Sequence, residues 1–222
     1  MRVITTPESP FGARVLIAAR AKQLELECVR PPTGGVKSAE YLALNPIGKI
    51  PLLITDTGEA IPESQSILNY LEARFPRPSL LPNLPEQRAR VDVAIRVVDL
   101  YVMAPVIRLF PHLNPATRDE RAVENELTRW KQGLASLAHF MKTPLPKADG
   151  AVSLADCVLP PSLHLSARIA RMLGVEGNLL EPHEPLLEYY ARMQDHPIVG
   201  PVLDDLTAAQ TIYDAKAVRK SH

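Results

Sequence analysis

The hydrophobic and polar positions divide the chain into an alternating first third and a helical remainder. Short strand-like runs at residues 3–5 and 26–29 enclose the segment 10–22, whose apolar positions recur at helical spacing. A strand, a helix and a second strand in this order predict a βαβ unit with parallel strands and a right-handed crossover.

A second unit follows directly along the chain. Residues 51–55 and 60–61 are strand-like runs on either side of the turn 56–59, so they are predicted to form an antiparallel hairpin. Apolar residues on one face then predict a helix over residues 64–75. Residues 1–76 are therefore predicted to form one α/β domain of βαβ-ββα order with a mixed four-stranded sheet.

A proline-rich segment separates this domain from an all-helical one. Four prolines fall within ten residues, too many for either regular structure, so residues 77–85 are predicted to be an extended linker. Residues 86–222 form the predicted helical domain. Its first helix, over residues 86–110, is apolar around nearly its whole circumference, which indicates that a partner subunit covers part of it. A central core helix in a monomer is the alternative.

Local signals predict the boundaries of later helices. Thr117 has capping-box spacing to an acidic residue three positions on, and Ser153 has the same spacing to Asp156. Gly150 is expected to close the loop before Ser153, and residues 216–222 are expected to form a mobile polar tail.

The composition limits the kinds of molecule that the chain is expected to bind. With 25 basic and 25 acidic side chains the net charge is zero, so the chain has no basic surplus to attract nucleic acid. The 46% apolar content is that of a packed globular protein. No run approaches the about 20 apolar residues that span a bilayer, and the first residues do not form a signal peptide, so no membrane partner and a cytoplasmic location are expected. Two distant cysteines and six histidines without i, i+4 pairs predict neither a disulfide nor a metal site.

Ser9 is the first candidate for chemistry. It stands at the N-cap position of the first predicted helix, directly before Pro10. A hydroxyl at a helix N-terminus, beside unpaired amides and the positive end of the dipole, stabilises an anion such as a thiolate. Ordinary helix capping is the alternative.

Two further segments suit a peptide ligand. Pro51, at the end of the Asn-Pro-Ile-Gly-Lys-Ile-Pro run of residues 45–51, is a candidate cis-proline that turns the Ile50 backbone outward, where an extended peptide adds like a short strand. Glu63 and Ser64 begin the next helix, where Ser64 and the first amides suit a carboxylate and Glu63 suits an ammonium group. An ordinary capped helix is the alternative here too.

In this order, and followed by a helical half, the three segments resemble the soluble glutathione transferase family over residues 1–210. The most specific matches are residues 45–51, residues 62–71 and the Ser-Leu-Ala-Asp run of residues 153–156. The resemblance implies a thioredoxin-like first domain, a helical second domain, glutathione as co-substrate and a homodimer.

The resemblance also implies roles for individual residues. Pro51 matches the family's cis-proline, and Ile50 the residue whose backbone pairs with the cysteinyl part of glutathione. Glu63 and Ser64 match the pair that holds the γ-glutamyl end.

Lys49, and less strongly Lys37, match the side chain that reaches the glycyl carboxylate. Ser9 takes the catalytic position, as in serine-type theta and zeta relatives, and donates a hydrogen bond to the sulfur. Lowering a thiol pKa from about 8.5 by about two units requires about 2.7 kcal/mol. One charge-assisted hydrogen bond, about 1.5–3 kcal/mol, together with a helix N-terminus can supply it.

The predicted activity is transfer of glutathione to a small hydrophobic electrophile. Phe11 is predicted to line the electrophile pocket, together with Tyr101 and Arg108, which lie seven residues apart on one helix face. A non-catalytic binding or scaffold protein of the same fold, and a glutathione-dependent isomerase or peroxidase, are the alternatives. The Ser-Ser-Cys triplet of the zeta class is replaced by Glu-Ser-Pro at residues 8–10, which argues against the zeta isomerase activity.

Overall fold

The computed structural model describes residues 1–149 and 152–220, apart from the side chains of residues 216–220. The first part of the chain is a sheet with three helices. The strands are β1 Arg2–Ile4, β2 Glu27–Val29, β3 Leu52–Ile54 and β4 Ala60–Pro62, and the helices are α1 Pro10–Ala21, α2 Ala39–Leu44 and α3 Ser64–Arg74.

The sheet has the predicted mixed topology, with strand order β2-β1-β3-β4. Strand β1 pairs in parallel with β2, where Val3 lies opposite Cys28, and antiparallel with β3, where Val3 lies opposite Leu53. Strands β3 and β4 form the predicted antiparallel hairpin. The βαβ-ββα order is therefore confirmed.

The rest of the described chain is helical. It comprises α4 Pro85–Val97, a π-helical turn Val98–Met103, α5 Ala104–Leu109, α6 Glu120–Met141, α7 Leu154–Leu173, α8 Glu184–Gln194 and α9 Gly200–Lys220, with 3₁₀ turns at Gly35–Lys37, Phe110–His112 and Pro115–Thr117. The predicted fold class, a thioredoxin-like sheet followed by an all-helical part, is confirmed.

One continuous core joins the two parts. Ile17 of α1 is fully buried in the same cluster as Trp130 of α6 and Leu159 of α7. A second, smaller cluster lies around Tyr41 of α2 and Leu52 of β3. Helix α1 is thus covered by the helical part, which brings its N-terminus to the boundary between sheet and helices.

The helix predicted over residues 86–110 contains a π-helical turn that the sequence pattern did not predict. Pro105 has no N–H to donate to the Tyr101 carbonyl four residues earlier, and its ring crowds that carbonyl. The same carbonyl lies against Gly133 of α6, where any side chain would collide with it. The wider turn accommodates both constraints.

This long helical segment is not buried on all sides within the chain. Val98 and Val102 are fully buried, whereas Leu100 is 48% and Tyr101 58% exposed. The partner subunit that the apolar pattern indicated stays a prediction.

The structure tests the capping predictions at two helix boundaries. The helix expected to begin at Thr117 begins instead at Glu120, because the Asp119 carboxylate caps it and accepts from the Ala122 amide at 3.0 Å. The capping box of α7 is confirmed, since the Ser153 amide donates to the Asp156 carboxylate at 2.8 Å.

At the chain end, α9 continues as helix to residue 220, where a mobile tail was expected. Residues 221–222 of that predicted tail, and the loop closure predicted at Gly150, lie outside the described residues. Along residues 1–149 and 152–220, no helix combines the length and the apolar character needed to cross a bilayer.

Candidate active site

A cleft of about 180 Å³ lies where α1, the loop before β3, the start of α3 and α5 meet. It brings together six of the residues predicted from the sequence and adds Asn45 and Ile107. The lining residues are Phe11, Asn45, Lys49, Ile50, Pro51, Glu63, Ser64 and Ile107.

The loop before β3 is held by hydrogen bonds to one carbonyl. The Lys49 carbonyl accepts from the Tyr41 hydroxyl at 2.5 Å and from the Asn45 amide at 2.8 Å. The peptide bond between Ile50 and Pro51 is cis, as predicted. Within the described residues, the Ile50 N–H and C=O make no hydrogen bond, so both are available to an extended ligand.

Gly48 shapes this loop and brings Lys37 close to it. Its φ of +63° favours glycine, and a side chain there would come within 2.9 Å of the Lys37 ammonium and 3.0 Å of the Val36 carbonyl. Lys49 lines the cleft, whereas Lys37 lies beside Gly48 and is not part of the cleft wall. Both lysine side chains are exposed.

Helix α3 does not begin with an ordinary side-chain cap. Glu63, at the N-cap position, has φ +67° and ψ +117°, and no side chain caps the first amides. A non-glycine residue at positive φ is uncommon and costs about 1–3 kcal/mol where the backbone is strained, which is typical of binding sites. Ser64, 6% exposed, follows it as the first helical residue. The uncapped amides and the dipole of α3 therefore favour an anion here.

Arg14, which was not predicted from the sequence, lies beside Ser64 in the buried interior. Its guanidinium is 1% exposed and donates to Asp99 at 2.8 Å, to the Ser162 hydroxyl at 2.7 Å and to the Ser64 hydroxyl at 3.5 Å. It also stacks over the Phe11 ring at 4.6 Å. Burial lowers the pKa of Arg14, and the Asp99 carboxylate acts in the opposite direction. Arg14 thus places a positive charge beside Ser64 and links α1, α3, the π turn and α7.

Ser9 caps α1, since its hydroxyl oxygen accepts from the Gly12 amide at 3.1 Å. Accepting that bond leaves the hydroxyl hydrogen free for donation. Ser9 is 8% exposed and lies two residues before Phe11, but it is not itself part of the cleft wall. The preceding carbonyl, that of Glu8, accepts from the Gln210 amide of α9 at 3.2 Å, so α9 holds the loop that carries Ser9.

Tyr101 and Arg108 share a face, as predicted, but this face does not line the cleft with Phe11. They line a separate cavity of about 310 Å³ against α6. Arg108 is turned there by Glu126, whose carboxylate accepts from it at 2.9 Å, and Ile107, one residue earlier, faces the cleft instead. Burial acts to raise the pKa of Glu126, but Arg108 and then Arg129 outweigh it and leave the pKa below its usual value.

Arg14 and Ile107 were not predicted as site residues, and only Arg14 has a recognisable signal in the sequence. Arg14 interrupts the apolar stripe of α1, and a charge inside such a stripe indicates a buried partner. Ile107 is one apolar residue among many on its helix, so nothing in the sequence distinguished it. Within the described chain, no group of three or more His, Cys, Asp or Glu side chains is placed to hold a metal ion.

The fold is thus a thioredoxin-like N-terminal part followed by a helical region, and the cleft is lined by residues of both. The family described as "Glutathione S-transferase, N-terminal domain" matches residues 3–79. Maleylacetoacetate isomerase of Pseudomonas aeruginosa is 30% identical over 210 residues, covering 90% of this chain and 98% of the relative. Glutathione S-transferase 2 of Saccharomyces cerevisiae is 28% identical over 215 residues, covering 92% and 90%.

Among solved structures, a glutathione transferase from Phanerochaete chrysosporium, determined in complex with oxidized glutathione, superposes with a TM-score of 0.79. It is 20% identical and covers 94% of this chain and 96% of its own. The chain belongs to the glutathione S-transferase family.

Proposed function

We propose that this protein is a glutathione transferase that joins the glutathione thiolate to a small, uncharged hydrophobic electrophile. One observation carries the proposal. The cleft unites the Ile50 backbone, which has no hydrogen-bond partner within the described residues, the uncapped start of α3 and Lys49 with the apolar side chains of Phe11 and Ile107. Polar groups for a peptide and apolar groups for a second reactant therefore lie on one cleft.

The peptide side of the cleft fits the charges of glutathione. Lys49 suits the glycyl carboxylate, and the Ile50 backbone suits the cysteinyl unit. Ser64 with the first amides of α3, supported by the Arg14 charge, suits the γ-glutamyl carboxylate, and Glu63 suits the γ-glutamyl ammonium group. Glutathione supplies the thiol whose anion attacks the electrophile.

Ser9 is the proposed donor to that sulfur. Its hydroxyl accepts from the Gly12 amide and donates to no group within the described residues, and it stands at the positive end of α1. A charge-assisted hydrogen bond contributes about 1.5–3 kcal/mol, enough to lower a thiol pKa by about one to two units. Ser9 acts as a donor and not as a nucleophile.

Charge distinguishes the transferase from an isomerase, the activity that the name of the Pseudomonas aeruginosa relative carries. Maleylacetoacetate carries two carboxylates, and Lys49 is the single cationic side chain among the described residues lining the cleft. If Lys49 holds the glycyl carboxylate, that lining has no second cation for a dicarboxylate substrate. A glutathione-dependent isomerase remains the second candidate, favoured by the 30% identity to that relative.

The deciding experiment titrates the ultraviolet absorbance of enzyme-bound thiolate against pH in the wild type and in Ser9→Ala. We expect the bound thiol of the wild type to titrate about one to two units below free glutathione, and Ser9→Ala to return it most of the way. Thr57→Ala, at an exposed position between β3 and β4 that does not line the cleft, serves as the control.

Other outcomes separate the remaining candidates. Tight binding of glutathione with an unshifted pKa would point to a non-catalytic binding or scaffold protein. A lowered pKa that survives Ser9→Ala would assign the donor to a backbone amide of α1. Assays with 1-chloro-2,4-dinitrobenzene, maleylacetoacetate and cumene hydroperoxide distinguish transferase, isomerase and peroxidase action. We further propose a homodimer in the cytoplasm, where the two free cysteines stay reduced.

A further inference from the structure

Gln210 occupies a position of α9 that packing alone would give to an apolar residue. The buried face of this helix includes Val202, Leu203 and Leu206. Gln210, four residues after Leu206 and 3% exposed, continues the same face. A buried amide costs free energy unless its polar atoms are hydrogen-bonded, so a glutamine at this position calls for a reason other than packing.

The side chain of Gln210 has a single hydrogen bond within the described residues. Its Nε2 donates to the Glu8 carbonyl at 3.2 Å, across 202 positions of sequence, whereas its Oε1 has no partner there. Since a carbonyl oxygen only accepts, the NH2 end of the amide faces Glu8. The polar end of this buried side chain is therefore directed at the loop between β1 and α1.

The Glu8 carbonyl belongs to the planar peptide unit that carries Ser9. The Ser9 N–H, at the other end of that unit, donates to the Thr6 carbonyl at 3.1 Å. The neighbouring Pro7 and Pro10 have no N–H, so few other backbone hydrogen bonds can hold this loop. The peptide unit is thus fixed at both ends, and its orientation sets the direction in which the Ser9 side chain leaves the backbone.

Helix α9 is itself fixed on both sides of Gln210. Five residues earlier, Asp205 pairs with Arg20 of α1 at 3.1 Å. Four residues later, Asp214 accepts from Arg168 of α7 at 3.1 Å. Among the described residues, α9 contributes none to the lining of the cleft. Gln210 therefore reaches the Ser9 loop from outside the cleft, without contact with either reactant.

We propose that Gln210 is a positioning residue for Ser9: by holding the peptide unit between Glu8 and Ser9, it directs the Ser9 hydroxyl at the glutathione sulfur. This role rests on the proposed function of Ser9 as the donor to that sulfur. A hydrogen bond weakens steeply as its angle departs from linearity, so a small rotation of the peptide unit reduces the stabilisation of the thiolate.

The main test is Gln210→Met, which keeps the length of the side chain and removes its donor. The pKa of the bound thiol, read from its ultraviolet absorbance, is expected to rise by about half a unit to one unit, because part of the shift assigned to Ser9 is lost. Below that pKa, kcat is expected to fall about two- to fourfold, since a higher nucleophilicity offsets about half of the loss of thiolate. The KM for glutathione is expected to stay unchanged, because Gln210 does not line the cleft.

Stability distinguishes positioning from a purely structural role. Gln210→Met buries an apolar side chain in place of an incompletely bonded amide, so the urea midpoint of unfolding is expected to stay or to rise. The control Arg168→Met removes a contact between α7 and α9 and is expected to lower the midpoint and to leave the thiol pKa unchanged. Circular dichroism establishes that each variant is folded, and Gln210→Leu, which also lacks the donor, replaces Gln210→Met if the latter is not. A lowered midpoint with an unchanged thiol pKa in Gln210→Met would assign this residue to folding alone.

The double variant Ser9→Ala with Gln210→Met tests whether Gln210 acts through Ser9. In the Ser9→Ala background, Gln210→Met is expected to leave the thiol pKa unchanged, because the group that it positions is absent. Equal shifts in both backgrounds overturn the positioning role. If Ser9→Ala shifts the thiol pKa and Gln210→Met does not, the role of Gln210 fails and the proposed function stands. If Ser9→Ala itself leaves the pKa unchanged, Ser9 is not the donor, and both assignments fail.

Discussion

At the scale of the single residue, Arg14 joins binding and folding in one side chain. Its guanidinium bridges Asp99 in the π turn, Ser162 in α7 and Ser64 at the cleft. Its Nε has no hydrogen-bond partner within the described residues. The three hydrogen bonds depend on the planar, forked shape of the guanidinium, which a lysine does not reproduce.

Arg14→Met is expected to reduce the free energy of unfolding by about 3 kcal/mol, because the Asp99 carboxylate loses its partner in a largely buried site. It is also expected to raise the KM for glutathione, because Ser64 loses the neighbouring positive charge. Urea denaturation and steady-state kinetics measure the two effects.

The double variant Arg14→Met with Asp99→Leu separates the effect on stability from the effect on the KM for glutathione. With both charges removed, most of the stability is expected to return, since a well-packed apolar pair can replace a buried ion pair. The KM is expected to stay high. Recovery of the wild-type KM in the double variant would show that Arg14 acts on folding alone.

At the scale of the element, the connection between α3 and α4 is fixed by a buried ion pair. The Lys22 ammonium, fully buried, pairs with Glu72 at 2.6 Å and donates to the carbonyls of Phe75 and Pro78 at 2.6 and 2.9 Å. Glu72 in turn accepts from the Leu80 amide at 3.1 Å. The first half of the proline-rich segment, predicted only as an extended linker, is thus tied to α3 and to the end of α1.

Lys22→Met is expected to lower the free energy of unfolding by about 3–5 kcal/mol, because it leaves a buried carboxylate and two carbonyls without their donor. Arg20→Met, two residues earlier on the same helix, breaks an exposed pair with Asp205 and is expected to cost no more than about 0.5–1 kcal/mol. Urea denaturation of both variants at one protein concentration makes the comparison. Equal losses would contradict the stabilising role of the Lys22–Glu72 pair.

At the scale of the whole molecule, the exposed apolar residues around the π turn predict a dimer. Leu100 and Tyr101 are 48% and 58% exposed, next to buried positions of the same helix. Sedimentation velocity at micromolar concentration is expected to show a dimer, and Leu100→Glu is expected to shift it to a monomer. Ile212→Glu, at a similarly exposed position on α9, is the matched control. A monomeric wild type would instead support the alternative interpretation, in which the helix predicted over residues 86–110 is the central core helix of a monomer.

The stability of the whole molecule should also fall in mild acid. Burial lowers the pKa of His164; the nearby Gln210 side chain opposes this shift, and the charges of Arg171 and Arg168 reinforce it. Because the pKa in the folded state lies below that of the unfolded chain, about 6.5, the unfolded state takes up more protons as the pH falls through this range. Stability is therefore lost as the pH falls below about 6.5.

His164→Gln is expected to flatten the decline in the free energy of unfolding between about pH 7.5 and 5.5. The exposed His139, changed to Gln, is expected to leave the decline unchanged. Denaturation at a series of pH values provides the measurement, and identical slopes in the wild type and His164→Gln would contradict the assignment.

The sequence by itself determined the order of the elements, the mixed sheet and the cis bond at Pro51. These follow from signals that act over a few residues: alternating strands, hairpin turns, helix caps and proline. At the start of α6, where the spacing from Thr117 predicted the boundary, the Asp119 carboxylate forms the cap instead. Signals of the same short range identify Lys49, Ile50, Glu63 and Ser64 as candidates, and the structure places all four on one cleft.

Only the tertiary structure decided which side chains complete the cleft. Ile107 faces it and Arg108 does not, because a helix turns by about 100° per residue and Glu126 of α6 holds the arginine on the other side. Arg14 acquires its role from partners on the π turn, α3 and α7, which lie 50 to 148 residues away in sequence. Contacts of that range depend on how the helices pack, and packing is decided by the whole chain and not by any segment of it.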